Sequence, residues 1–260
     1  MMYNDSHCHL DFSVFDDSRD TLMRDCQQAG VEGFLVPSTT RSSWARVAEL
    51  AASYPQWRVA YGLHPYFLAE ASISDIEHLA DQCETHEALA IGEIGLDCWP
   101  GAVALDKQWL FFSRQLMIAR ELKLPIIVHA RKSYDLVIKA VRDTGFTCGG
   151  IVHAFNGSLV QASRLQELGF ILGIGGTITY PRAKKAQRVL AELDDTAFVL
   201  ETDSPDMPLS GFQGELNTPL SIPRIAECIA NIRNSSVADI ARQTNNNLLS
   251  TFPKWYKDTL

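Results

Sequence analysis

Eight short apolar runs recur along this chain, each separated from the next by an amphipathic stretch with helical spacing. The runs cover 3–10, 33–37, 58–63, 88–93, 125–129, 150–153, 169–174 and 197–201. They are continuous and rich in Val and Ile, as strands buried on both faces should be. Apolar spacing predicts helices at about 17–29, 41–54, 72–87, 105–122, 133–144, 158–167 and 182–193, with two more after residue 220. Ser72, Ser74 and Ser158 stand where helix caps are expected. Strand then helix, eight times over, predicts an α/β fold of the (β/α)8 TIM-barrel type. A doubly wound open sheet is the rival, but it expects a Gly-rich phosphate turn after the first strand, and none is present. The 260 residues match the roughly 250 of one such barrel. No repeat, low-complexity tract or linker divides them, so 1–260 read as a single domain.

Composition narrows the class. With 46% hydrophobic and 21% charged residues, the chain can bury a full core. No apolar run approaches the ~18 residues of a membrane span. Residues 1–5 lack the basic stretch and apolar core of a signal peptide. Cys8, Cys26, Cys83, Cys98, Cys148 and Cys228 form no C-x-x-C pair. They read as reduced thiols, so a cytoplasmic protein with no membrane partner is expected. A formal net charge of −8 disfavours nucleic-acid binding through a broad basic surface. It leaves open an enzyme whose bound metal holds a phosphate. Nothing demands a second subunit, and a monomer is the expectation.

In a parallel barrel, chemistry collects at the carboxyl ends of the strands. Here those ends carry metal-ligand residue types: His7 and His9, His64, Glu93, His129, His153 and Asp203. The remaining histidines, His78 and His86, lie in a helical stretch and read as solvated. A His-x-His pair on a strand points both rings to one face, which suits one ion or an ordinary pocket lining. A lone histidine such as His129 or His153 is commonly a hydrogen-bonded core residue. Glu93 and Asp203, set among apolar neighbours, must be paired or metal-bound, because burying a bare carboxylate costs several kcal/mol. Together, His7, His9, Glu93, His129, His153 and Asp203 on one barrel face point to a shared metal site. Imidazole with carboxylate suits Zn, Mn or Co, with Mg less natural. Six candidates exceed the four ligands of a single zinc. The surplus favours two divalent ions about 3.5–4 Å apart, bridged by a carboxylate, with hydroxide as nucleophile.

At this point the residues resemble the TatD-type metal-dependent hydrolases. The similarity lies in Asp5-Ser6-His7-Cys8-His9-Leu10, Gly62-Leu63-His64-Pro65, Gly92-Glu93-Ile94-Gly95-Leu96-Asp97, His129-Ala130-Arg131, His153-Ala154-Phe155-Asn156-Gly157 and Glu201-Thr202-Asp203-Ser204-Pro205. The stretches 175–183 and 206–209 look most like the YjjV subgroup. The resemblance implies divalent-metal-dependent hydrolysis, chiefly of phosphodiester bonds in DNA. It implies His7, His9, Glu93 and Asp203 on one ion, and Glu93 bridging to a second ion held by His129 and His153. Asp203 would also orient or deprotonate the attacking water, and His64 would touch the substrate or leaving group without being a ligand. Two stretches depart from the family pattern. Trp99 follows Cys98 where an aromatic residue usually comes directly after Gly-Leu-Asp, and Glu215-Leu216-Asn217-Thr218-Pro219 keeps the Asn and Pro but lacks the Arg.

The expected substrate is a phosphodiester, with single-stranded DNA among the candidates, or a small molecule. Asp203 is the expected catalytic base, and Arg131 with Arg182 or Lys184 would steady an anionic substrate. Those three cations also read as ordinary solvated loop side chains. Trp99 and Tyr180 read as base-stacking surfaces or as rim packing. Cys8 should point away from its neighbours into the core, and Asp97 should support a ligand rather than be one. The rival functions are an amidohydrolase acting on a small amide, lactone or phosphate ester, and a barrel that binds structural zinc.

Overall fold

The computed structural model describes residues 1–256. Eight strands form one sheet: β1 (Tyr3–Asp5), β2 (Val31–Pro37), β3 (Trp57–Tyr61), β4 (Ala90–Asp97), β5 (Ile126–Arg131), β6 (Gly150–Val152), β7 (Phe170–Ile174) and β8 (Phe198–Leu200). They run in the order β1 to β8, each parallel to the next. The helices between them are α1 (Arg19–Gln28), α2 (Trp44–Ser53), α3 (Ile73–Glu77), α4 (Leu79–Thr85), α5 (Leu105–Leu122), α6 (Tyr134–Asp143), α7 (Leu159–Glu167) and α8 (Lys184–Glu192). Two more, α9 (Ile222–Arg233) and α10 (Val237–Thr251), follow β8. No helix among the described residues is long and apolar enough to cross a membrane. The TIM-barrel expectation holds. The stretch 72–87 departs from it in being two helices, which meet at His78, where ψ of −4° interrupts the helical ladder.

The ends of the sheet close on each other. The Ser6 amide donates to Leu200 O at 2.9 Å, His9 N to Ser204 O at 2.7 Å and Asp203 N to His7 O at 2.9 Å. Beneath them the buried Asp5 carboxylate accepts from the His7 amide, the Thr202 amide and the Thr202 hydroxyl, the last at 2.6 Å. Burial pushes the Asp5 carboxyl up to about 7 despite these donors. Thr202→Val keeps the volume and removes one donor from a buried carboxylate. It should therefore lower stability by about 1–3 kcal/mol, read as a shift of the urea midpoint at constant slope.

One inward residue from each of seven strands, Leu35, Ala60, Ala90, Ile127, Ile151, Ile171 and Val199, fills the lower bore. Leu248, Phe252 and Trp255 close it from below, and Trp255 Nε1 donates to Asn4 Oδ1 at 3.1 Å. The bore is therefore open to chemistry only at its carboxyl end. Side chains alternate along a strand, so steps of two from this layer reach His64, His129, His153, Glu201 and Asp203. Strand β4 breaks the rule. Three of its steps, Ile91 to Ile94, span only two of β5, Ile126 to Val128. The extra residue of this bulge turns Glu93 inward. The strand then continues through Gly95 to Asp97, beyond the end expected at Glu93. Gly95 is required there, because its φ is +148° and a Cβ would meet His129 O at 2.0 Å.

Candidate metal centre

Strand β1 ends at Asp5, short of His7 and His9, but the backbone stays extended between its neighbours. Ser6 N bonds toward β8 and Cys8 N toward Leu35 of β2. His7 and His9 therefore share a face, with their Nε2 atoms 3.3 Å apart. Cys8 points the other way and is fully buried, its thiol directed at Leu35 O. His78 and His86 are exposed.

The centre is organised around Glu93, which is 1% exposed. Its Oε2 lies 3.2 Å from His7 Nε2 and 3.4 Å from His9 Nε2. Its Oε1 lies 2.8 Å from His153 Nε2 and 3.0 Å from both His129 Nδ1 and His64 Nε2. Asp203 Oδ1 stands 3.3 Å from His7 Nε2. Asp203 itself has φ of +57°, a left-handed conformation uncommon outside glycine. Three overlapping groups bring ligand atoms within 4.8 Å of one another: His7–His9–Glu93, His7–His153–Asp203 and His64–Glu93–His129.

This donor set fits divalent cations. It mixes imidazole nitrogen with carboxylate oxygen, the ligand types of borderline ions such as zinc and manganese. Ring nitrogens face each other at 3.2 Å between His129 and His153, and at 3.3 Å between His7 and His9. A neutral imidazole has a single N–H, so such facing lone pairs around one carboxylate are what a cation between them reconciles. Outer contacts orient the rings: His9 Nδ1 on Pro37 O and His129 Nε2 on Asp97 Oδ2, both at 3.2 Å. Asp97 thus supports His129 from behind.

His64 is placed differently from the expectation of a substrate contact. Its Nδ1 accepts from the Tyr66 amide at 3.1 Å, which puts the proton of the neutral ring on Nε2, facing Glu93. It donates to the carboxylate and does not line the central cavity. Glu201 is not among the residues expected from sequence, although its inward position two before Asp203 is the signal that marks it. Fully enclosed, its Oε1 accepts from Ala154 N at 2.6 Å and lies 4.0 Å from His153 Nδ1, while Oε2 has no partner. Gly173 makes the room, since a Cβ there would meet Glu201 Oε2 at 1.9 Å.

Burial pushes the Glu93 carboxyl up, but the imidazoles of His153, His64 and His7 with the His129 hydrogen bond hold it well below the usual range. Burial likewise pushes His129 down, and there the Asp97 and Glu93 carboxylates win, raising it to about 9. Below that pH a metal must displace a proton from His129. Loading metal-stripped protein at pH 7.5 should therefore release protons, and affinity should climb with pH toward about 9. Titration calorimetry in buffers of different ionisation enthalpy reads this directly. A heat independent of buffer would rule it out.

Above the centre lies a cavity of about 970 Å³, bordered by His129, His153 and Asp203. Its rim carries Trp99, Arg131, Lys132 and Lys185, along with Asp135 and Asp206. The Arg131 guanidinium lies 3.9 Å from the Trp99 ring centre and Lys132 Nζ 4.4 Å from it, so that ring already carries cations. Arg182 does not border this cavity; it lies over Tyr180 in an adjoining recess. Lys184 borders neither, because one step along α8 exchanges it for Lys185. Asn217 is buried and braces the loop after β8, its amide donating to Thr202 O, Asp206 O and Met207 O. Glu215 is exposed and lies outside the central cavity.

Comparison with known proteins agrees with this geometry. The profile of a family described as TatD related DNase matches residues 4–253. The metal-dependent hydrolase YjjV of Escherichia coli is 38% identical over 250 residues, covering 95% of this chain and 96% of its own. Its crystal structure, at 1.8 Å resolution, superposes with a TM-score of 0.93 and covers 96% and 98% of the two chains. A metal-dependent hydrolase of Haemophilus influenzae is 33% identical over 97% of this chain and 100% of its own. Match length, identity and superposition all run across nearly the whole chain. The chain therefore belongs to the TatD-related DNase family of metal-dependent hydrolases.

Proposed function

We propose that this chain is a divalent-metal-dependent phosphodiesterase acting on DNA-like substrates. In this reading His7, His9 and Asp203 would hold one ion and His129 and His153 a second, with Glu93 within reach of both sets. The observation that carries it is the division of Glu93, with Oε2 toward His7 and His9 and Oε1 toward His129 and His153. Two divalent ions held there supply Lewis acidity toward a phosphoryl oxygen and make the attacking water more acidic. Asp203 accepts the proton of that water. It is the one carboxylate of the centre that borders the cavity, and its side chain is 16% exposed. His7 lies against Asp203 and lowers its carboxyl below the ordinary value, overcoming burial, so it stands ionised and ready as a base. Arg131 and Lys132, fixed against Trp99, meet the substrate's non-bridging oxygens at the rim. His64 holds Glu93 in place. The free thiols of all six cysteines suit a reducing cytoplasm, and we infer a monomer working there.

The test is hydrolysis of end-labelled single-stranded DNA by chelator-stripped protein, with Mg²⁺, Mn²⁺, Co²⁺ or Zn²⁺ restored in turn. Metal-dependent shortening is expected. The carboxylates Asp135 and Asp206 on the cavity rim favour a second reading, a small ester or amide as substrate. Loss of a p-nitrophenyl ester under metals that leave DNA intact would establish that reading instead.

A further inference from the structure

The central cavity continues outward into a recess of about 490 Å³, within the ~300–1,000 Å³ of small-molecule sites. Asn156, Thr177, Lys185 and Met207 border both. The recess carries two cations, Lys185 and Arg182, and no carboxylate lines it. Both are exposed, and neither forms an ion pair among the described residues. In a chain of net charge −8, two unpaired cations beside a carboxylate-free hollow create a local positive field.

The recess is also firmly built. The Tyr180 hydroxyl donates to Pro208 O at 2.9 Å, tying the loop after β7 to the loop after β8. The Gln187 amide of α8 donates to Ile178 O at 3.1 Å and to Tyr180 O at 3.2 Å. The Arg182 guanidinium then rests 5.1 Å from the Tyr180 ring centre. On the other side of Asp206, the neighbouring groove has the opposite character. Asp11, Asp206 and Glu215 border it, and its cation Arg46 is already paired with Asp16. A polyanion crossing the barrel mouth is drawn to one arm and repelled from the other.

We propose that the recess between Lys185 and Arg182 is a second anionic subsite, which holds a phosphate of the substrate chain beyond the one being cleaved. This rests on the phosphodiesterase reading above and deepens it: the substrate carries at least two phosphates, and the chain leaves the centre over α8 rather than past Glu215. Lys185 and Arg182 contribute binding, not chemistry. The subsite should separate substrates that a bare metal centre treats alike.

The test compares wild type with the Lys185→Ala/Arg182→Ala double variant on two substrates. One is bis(p-nitrophenyl) phosphate, with a single phosphate, and the other is a thymidine tetranucleotide. Losing two charge-assisted phosphate contacts should raise KM about tenfold more for the tetranucleotide than for the small diester. The log–log salt dependence of tetranucleotide KM should flatten by about 0.7 in slope, the value for one single-strand phosphate that loses its cations. Equal factors on the two substrates, or no change in either, overturn the subsite. If wild type hydrolyses neither substrate under any divalent ion, it is the phosphodiesterase reading that fails. The subsite is then decided by fluorescence anisotropy of labelled tetranucleotide: weaker binding to the double variant supports it, and equal binding overturns it.

Discussion

Replacing Asp203 by Asn should abolish hydrolysis while leaving the barrel folded. The expected fall in kcat/KM is about a hundred- to ten-thousand-fold, the range for removing a general base. The substitution is nearly isosteric, and the bond that places this residue runs from its backbone amide to His7 O at 2.9 Å, so the new side chain keeps the position of the old. What it loses is the ability to take a proton, at the one carboxylate of the centre that borders the cavity. The thermal midpoint should stay near wild type, and activity is read at saturating metal because Asn also replaces a ligand of one ion; together these separate a chemical defect from a folding or loading one. Turnover retained within tenfold would remove Asp203 from the base role.

Glu93→Gln should have the largest effect on the centre itself. A neutral amide replaces the charge that faces all of His7, His9, His64, His129 and His153, and its NH₂ opposes the His64 Nε2–H that Glu93 now accepts. Removing one partner of a buried charge pair costs about 3–5 kcal/mol, and a drop of that order is expected in the metal-free protein. Elemental analysis should show the bound metal falling from about two ions per chain to fewer than one. Two ions retained with Gln at this position would sink the bridging role.

Much of this was legible in the sequence because it rests on local periodicity. Alternating apolar runs and amphipathic stretches specify strand and helix from residues close together in the chain. The His7-Cys8-His9 spacing placed two rings on one side and a thiol on the other, as the structure does. Long-range placement was less legible. Lys184 and Lys185 are equivalent in pattern, and only the orientation of α8 brings Lys185 to the cavity rim. Arg182 follows Tyr180, whose hydroxyl is anchored on Pro208 O, and so it faces a separate recess. For His64, the family resemblance implied a contact with substrate. Its actual direction is set by the Tyr66 amide at Nδ1 and by Glu93 at Nε2, the first a backbone donor no pattern reveals.

The sequence by itself determined the (β/α)8 order and the inventory of ligand-type residues at the carboxyl ends of the strands, because both follow from hydrophobic period and residue chemistry. The tertiary structure alone decided how that inventory is shared out. One extra residue between Ile91 and Ile94 turned Glu93 into the bore, against the simple alternation of its strand. Closure of β1 on β8 carried His7 to Asp203 from opposite ends of the barrel sequence. Burial then set the charges: Glu93 stayed ionised among imidazoles, while Glu201, equally enclosed, was pushed up to about 8 by its burial, with Asp203 and Asp5 adding to it against His7 and the Ala154 amide. Those outcomes depend on distances between strands far apart in sequence, and interactions of that kind are fixed only when the barrel closes.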